Sequence, residues 1–287
     1  MLDKKEYYKL ENRSLIEISG KDKFSFIQGI ISNDVEILKK KSSIYSAILS
    51  PQGRFITDFF LSIFKDSFLI EIQKEDESLL LQKLNMYKLR SEIQIEVKKN
   101  INILLISHDS ELDLNSFDSN FLCFDDPRFK KLFRRLYFFE KSNELFILKN
   151  KLKRITNSAY NSLRLEHSIP DFYFDSIKHK SLLLEMRFDE LNGISWTKGC
   201  YMGQEITARM KYRNLVKRKL FKIKILFKSK IEEDIKFEDT VIGKITSHNK
   251  MNGLAYIDIK LIDQFFDQNL ISGDSGIKLA NLWWAKD

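Results

Sequence analysis

The sequence predicts an α+β fold that gives way to a small all-β module near its C-terminus. Three observations carry this expectation. Over the first two thirds, strand-like runs in hairpin pairs are mixed with amphipathic helical stretches, without steady β-α alternation. Strong turn signals, Ser50-Pro51-Gln52-Gly53 above all, separate neighbouring apolar runs. After about Arg213 basic and apolar residues alternate, and Gly243, Gly253, Gly273 and Gly276 punctuate short runs, the pattern of a sandwich or barrel.

The elements follow in order. Residues 13–18 alternate as a strand, and 22–29 form a helix with Phe26, Ile27 and Ile30 on its apolar side. Residues 43–49 and 54–64 are two strands joined by the Ser50–Gly53 turn, and 67–72 is a third. Residues 75–89 make an amphipathic helix with leucines at 79, 80 and 84. Strands are expected again at 93–97, 101–107, 121–124, 134–140 and 144–148. Residues 156–166 read as a helix with Pro170 beyond it, and 206–212 as another. The all-β module begins with the alternating stretch 217–227, so the domain expectation is 1–213, split near 110–120, followed by 217–287.

With 43% hydrophobic and 31% charged residues, the 287-residue chain has ordinary globular composition and enough apolar material for more than one core. Its net charge of +8 favours anionic partners, although lysine is abundant throughout and the densest run, 211–219, also reads as a solvated linker. Direct nucleic-acid binding is not expected. Two cysteines far apart exclude a disulfide framework, and four histidines show no ligand spacing, so no metal site is expected. The N-terminus lacks an apolar leader, and no apolar run reaches the ~18 residues of a membrane span. The expected location is cytoplasmic, with no membrane partner.

The densest concentration of special residues is Lys198-Gly199-Cys200-Tyr201-Met202-Gly203-Gln204-Glu205. Glycines on both sides of Cys200 suggest a tight loop with exposed backbone. Glu205 and Arg209 form a favourable i,i+4 helix pair, placing Cys200 at or just before a helix N-terminus. The helix dipole and Lys198 would then favour a thiolate. Such a sulfur is a nucleophile, a metal or cluster ligand, or a redox sensor; the competing reading is an inert small hydrophobe. Cys123, in the apolar run Phe121-Leu122-Cys123-Phe124, reads as buried and inert.

The segment from Gly193 through Glu205, whose residues 198–205 match K-G-C-[FY]-x-G-Q-E without a gap, resembles the signature of the YgfZ family, folate-binding relatives of glycine-cleavage T-protein that support iron–sulfur enzymes. Phe26-Ile27-Gln28-Gly29 with Asn33-Asp34-Val35, the Pro51-Gln52-Gly53-Arg54 turn, Arg164-Leu165-Glu166 and Gly243-Lys244-Ile245 are similar to further family segments. The resemblance implies two ferredoxin-like α+β modules around a central channel and a C-terminal β-barrel. It also implies a folate-binding accessory factor for assembly or repair of iron–sulfur clusters, acting on tRNA modification indirectly. Its partners would be iron–sulfur client enzymes or assembly factors, and its cofactor tetrahydrofolate or a related folate.

By the same resemblance Cys200, with Lys198 and Asp58, carries the chemistry. The resemblance also implies that Glu166, Arg54, Trp196, Gln204 and Arg209 would contact folate. A carboxylate at Glu166 suits a pterin edge, from which it can accept two N–H bonds; its alternative is pairing with Arg164 or a helix cap. Two departures from T-protein weigh against aminomethyl transfer, which remains the alternative function. Thr57 replaces one of two acids, leaving Asp58, and Cys200 stands where T-protein has an acid. Ser168 likewise stands where the family pattern has glycine.

Overall fold

In the computed structural model, which describes residues 2–113, 121–129, 131–139, 143–226, 230–260 and 262–285, the chain opens with β1 (Glu6–Lys9), β2 (Arg13–Ser19) and α1 (Lys23–Ile30). Strands β3 (Ser43–Leu49), β4 (Phe55–Phe64) and β5 (Ser67–Gln73), helix α2 (Glu77–Lys88), and strands β6 (Gln94–Lys98), β7 (Ile101–Ser107), β8 (Phe121–Asp125) and β9 (Phe133–Phe139) follow. Next come α3 (Asn143–Lys149), β10 (Lys153–Arg154) and α4 (Asn157–Glu166), a long stretch of turns, and α5 (Gln204–Tyr212). The remainder is β11 (Arg218–Ile225), β12 (Asp234–Phe237), β13 (Thr240–His248), β14 (Asn252–Asp258), α6 (Ile262–Phe265), β15 (Leu270–Ser272) and β16 (Ser275–Ala280). The α+β class and the all-β C-terminal module both form as the sequence predicts.

The chain divides into two compact units: Met1–Ile48, Thr57–Tyr160 and Leu191–Met202 make the first, and Leu49–Ile56, Asn161–Glu190 and Gly203–Asp287 the second. The first unit is built on two five-stranded sheets, ordered β3-β4-β5-β2-β6 and β10-β1-β7-β9-β8. Isoleucines direct the register of the former, with Ile70 of β5 opposite both Ile16 of β2 and Leu61 of β4, all without exposed surface. Leu15 and Leu69 of that sheet pack on Ile103, Phe124 and Tyr137 of the other.

Charge is buried in the same interior. Glu71 of β5 accepts from Arg135 Nη1 at 2.6 Å, Arg13 Nε at 2.6 Å and the Tyr137 hydroxyl at 2.7 Å. Asp126 accepts from Arg128 Nη2 at 3.0 Å and Arg135 Nε at 3.3 Å. Arg135 stacks 3.6 Å from the centre of the Phe60 ring. Arg135 thus bridges both carboxylates and joins the two sheets, an arrangement tolerable in an apolar interior because every charge has an opposite partner.

In the second unit, β11-β14-β13-β12-β15-β16 close into a barrel through the β11–β16 pairing. Its interior is filled by Ile223, an inward member of the alternation read in the sequence over 217–227, together with Ile235, Ala255, Ile257, Leu270 and Ile277. Asp175, without exposed surface, ties the turn segment to β13. Its carboxylate accepts from Arg164 Nη1 at 3.2 Å, Asp171 N at 2.9 Å, Thr246 Oγ1 at 2.6 Å and Ser247 Oγ at 2.5 Å.

Two elements differ from expectation. Residues 144–148 form helix α3 rather than a strand, because Asn143, Phe146 and Asn150 are the buried positions, a spacing of three and four. Strand β1 was not anticipated; it pairs with β7 and β10, far away in sequence. Glu140 and Phe227, assigned to strands from sequence, and residues 114–120 of the proposed split lie outside the described residues.

Ser168 has a left-handed backbone (φ 54°) and a fully buried hydroxyl with no hydrogen-bond partner among the described residues. Glycine removes both the Cβ strain and the orphan hydroxyl, and loses less through its freer unfolded chain. Ser168→Gly is therefore expected to raise Tm by about 2–4 °C. An unchanged or lower midpoint in thermal unfolding would refute this account of Ser168.

Candidate functional site

The loop carrying Cys200 belongs to the first unit and is clamped to the C-terminal end of α1. Lys198 Nζ donates to the carbonyls of Gln28 at 2.6 Å, Ile31 at 2.9 Å and Asn33 at 2.8 Å. A helix end presents carbonyls without intrahelical partners and the negative end of the dipole, so an ammonium fits there. These three bonds use all three of its donors. Burial lowers the Lys198 pKa to about 8, with Asp34 opposing the shift in part. The backbone completes the clamp: Met202 N donates to Gly29 O at 3.0 Å and Ser195 N to Ser32 O at 3.1 Å.

The N-terminal motif residues build the carbonyl cradle. Gln28 Nε2 donates to Asp34 Oδ1 at 2.8 Å, Val35 N to Gln28 Oε1 at 3.0 Å, and Asp34 N to Asn33 Oδ1 at 2.8 Å. Asn33 Nδ2 donates to Asn192 O at 2.8 Å and to Tyr45 O at 2.7 Å. The Tyr45 hydroxyl then donates to Asp58 Oδ2 at 2.6 Å. A bonded chain thus runs from Lys198 through Asn33 and Tyr45 to half-buried Asp58. Trp196, also half-buried, lies on the same clamped loop.

Cys200 is exposed. A Cβ placed on neighbouring Gly199, or on Gly29 beneath the loop, would meet no atom within 4 Å, and neither has a positive φ. The protein's own backbone therefore does not demand glycine at either position. Helix α5 begins at Gln204 after left-handed Gly203 (φ 79°), so Cys200 precedes the helix as the sequence predicts. Cys123 is different: burial pushes its thiol up to about 11, Arg134 opposing and Asp125 adding to the shift. Only the thiolate is nucleophilic. Iodoacetamide at neutral pH should accordingly modify Cys200 and spare Cys123 in the native protein, as read by peptide mass spectrometry. Equal modification of both would contradict the assignment.

In the second unit the Ser50–Arg54 turn meets the start of α5. An added Cβ on Gly53 (φ 70°) would stand 2.7 Å from Ile206 Cβ and 2.9 Å from Gly203 O. One on Gly203 would collide with Ser50 O and stand 2.8 Å from Leu49 Cβ. Two motifs distant in sequence thus interlock glycine against glycine, with Arg54 and half-buried Gln204 on either side. Arg54 is exposed and donates to Lys180 O at 2.8 Å. Arg209 and Glu166 are exposed on α5 and α4. Arg164 pairs with Asp175 rather than Glu166, whose carbonyl accepts from Lys222 Nζ at 2.6 Å.

Sequence reasoning missed Tyr45, Asp175 and the Glu71–Arg135–Asp126 network. The available signal was charge inside apolar strands, as in Phe68-Leu69-Ile70-Glu71-Ile72 and Phe133-Arg134-Arg135-Leu136. No group of three or more His, Cys, Asp or Glu side chains among the described residues is placed to hold a metal.

No family model matches the chain. It is similar to the mitochondrial iron–sulfur cluster assembly factor IBA57 homolog of Neurospora crassa, at 28% identity over 74% of this chain and 52% of that protein. The Dictyostelium discoideum homolog is 27% identical over 75% of this chain and 61% of that protein, and the Mus musculus factor 25% over 76% and 66%. The chain therefore spans about half to two thirds of the length of these curated relatives. In fold it is similar to the glycine cleavage system aminomethyltransferase T of Bartonella henselae, with a TM-score of 0.80, 13% identity, and coverage of 97% of this chain and 86% of that one. The chain thus combines sequence similarity to iron–sulfur cluster assembly factors with the fold of a glycine-cleavage T-protein.

Proposed function

We propose that this protein is an accessory factor in the assembly or repair of iron–sulfur clusters, with Cys200 Sγ as a transient cluster ligand. The observation that carries this reading is an exposed cysteine on a fixed loop, beside two glycines whose missing side chains leave room for a close-approaching partner. The thiol would lose its proton to solvent as sulfur binds iron, and no electron need be transferred. A single thiolate leaves the other iron positions to be filled, so the remaining ligands come from a partner: an assembly protein or a client enzyme. Lys198 acts as a positioning residue, holding the loop through the α1 carbonyls. Loss of the protein would lower the activity of cluster-dependent enzymes, tRNA-modifying enzymes included. A reducing compartment suits two free cysteines, and the relatives' names point to the mitochondrion rather than the cytoplasm. The central test is the Cys200→Ala variant described below.

Folate is the cofactor that this reading carries. Within the second unit the donor chemistry suits it: Glu166 offers an exposed carboxylate to N–H donors, and Arg54 and Arg209 offer exposed cations to a glutamate tail. When bound, tetrahydrofolate supplies a one-carbon carrier or a reducing pterin. Titration with tetrahydrofolate, followed by Trp fluorescence, should give weaker binding for Glu166→Gln than for wild type; equal affinity would remove Glu166 from the site.

The second reading, a tetrahydrofolate-dependent one-carbon transferase, is favoured by the T-protein fold and by Asp58, whose carboxylate is held by the Tyr45 hydroxyl. Purified protein with tetrahydrofolate and amine donors would then form methylene-tetrahydrofolate; absence of turnover with every donor would dismiss it.

A further inference from the structure

The second unit exposes an apolar tip that the cluster role does not use. Within residues 172–181, Phe172 turns inward against Phe55 and Phe188, with ring centres 6.3 and 5.7 Å away. Its neighbours turn outward: Tyr173 is 37% exposed, Phe174 56% and Ile177 59%. Exposing three large apolar side chains on one short loop costs hydrophobic free energy unless something covers them.

The loop is held rigidly. His179 N donates to Phe55 O at 2.7 Å and Phe55 N to Ser181 O at 3.0 Å. Ile177 N donates to Ser181 Oγ at 2.9 Å, and Asp175 anchors the loop's base through its four bonds. The apolar tip is therefore presented in a fixed conformation and pays little entropy on contact.

Its surround is cationic. Lys178 and Lys180 follow directly, and Arg54 is pinned to the loop through Lys180 O. Lys178 Nζ sits 5.4 Å from the Tyr173 ring centre. The one acid of the loop, Asp175, is buried and paired with Arg164, and half-buried Asp171, just before the loop, sets a single negative charge against Lys178, Lys180 and Arg54.

We infer that this loop docks on an anionic lipid surface, with Tyr173, Phe174 and Ile177 entering the headgroup–acyl boundary and Lys178 and Lys180 meeting the lipid charge. The chemistry is that of interfacial anchors, in which aromatic and aliphatic side chains insert beside basic ones. Three side chains from one loop fall well short of the ~800 Å² per side of a specific protein interface, whereas a lipid surface needs only a protruding tip. The net charge of +8 adds long-range attraction to such a surface. Sequence hydropathy does not reveal the site, because buried Phe172 is contiguous with exposed Tyr173 and Phe174, and Asp175 and Ser176 separate these from Ile177. The inference stands apart from the proposed role of Cys200 and survives or fails without it.

The full chain is sedimented with vesicles of phosphatidylcholine alone and of phosphatidylcholine mixed with phosphatidylserine. Binding to the mixed vesicles only is expected. Two double variants, Phe174→Ser with Ile177→Ser and Lys178→Glu with Lys180→Glu, should each lower it by about tenfold. Phe174, Ile177 and Lys180 are exposed and Lys178 is half-buried, and circular dichroism checks that each variant is folded. Absence of binding to mixed vesicles at low salt would overturn the inference. So would binding that the apolar double variant leaves unchanged, since general charge would then suffice. Binding to soluble poly-glutamate but not to vesicles would assign the patch to an acidic protein partner and overturn it equally.

Discussion

Glu71→Gln should destabilise the protein by about 3–5 kcal/mol, because it breaks a buried ion network on one side only. Glu71 has no exposed surface, and it holds Arg135 and Arg13 at 2.6 Å each. Glutamine keeps the shape and one oxygen but removes the charge shared by Arg135 and Arg13, so Arg135 keeps Asp126, which it shares with Arg128, and Arg13 keeps the neutral Gln73 side chain. A Glu71→Met, Arg135→Met double variant should cost less than the sum of its single variants, since Arg135 is removed together with its carboxylate and only part-buried Arg13 loses a partner. Urea unfolding measures both. A loss under 1 kcal/mol for Glu71→Gln would show that the network carries no strain when broken.

The same network sets the acid response. Burial pushes Glu71 up, but Arg135, Arg13 and the Tyr137 bond outweigh it, so its pKa lies below the ordinary 4.5. Burial likewise pushes Asp126 up, and Arg128 and Arg135 bring it below 3.8. A carboxylate with a depressed folded pKa contributes stability that is present above its unfolded pKa and lost as pH falls through the folded one. Stability should therefore decline as pH drops below about 4.5, and Glu71→Gln should flatten that decline.

Gly203→Ala should cost about 3 kcal/mol, from left-handed strain of about 1–2 kcal/mol and from displacing the Ser50 backbone. Gly53→Ala should behave similarly, as its Cβ would stand 2.9 Å from Gly203 O. Gly199→Ala, with open space and no positive φ, should stay within about 0.5 kcal/mol of wild type. The glycines around Cys200 therefore separate by unfolding free energy: Gly203 serves the fold, and Gly199 leaves surface open. Equal effects at positions 199 and 203 would refute that division.

Strands with local hairpin partners were legible in the sequence, as β3 and β4 are on either side of Pro51 and Gly53. Strand β1 was not, because Glu6-Tyr7-Tyr8-Lys9 lacks alternation and its partners lie far along the chain. Helix α3 was obscured by the contiguous Leu145-Phe146-Ile147-Leu148, which hides its period. In the site, the position of Cys200 ahead of a helix was legible, while the orientation of Lys198 was not. Adjacency in sequence suggested an ammonium beside the thiol; the unpartnered carbonyls ending α1 drew it into the interior instead. Nothing local to residues 198–200 announces that helix end.

The central claim is that Cys200 Sγ does the chemistry and the fold does not need it. The most direct measurement is the activity of a [4Fe–4S] enzyme in cells lacking the wild-type protein, complemented with Cys200→Ala or with wild type. Because Cys200 is exposed, the variant should be as abundant and as stable as wild type, within about 0.5 kcal/mol. The account predicts that wild type restores the enzyme and that an equally abundant Cys200→Ala does not. Full restoration by Cys200→Ala would contradict it.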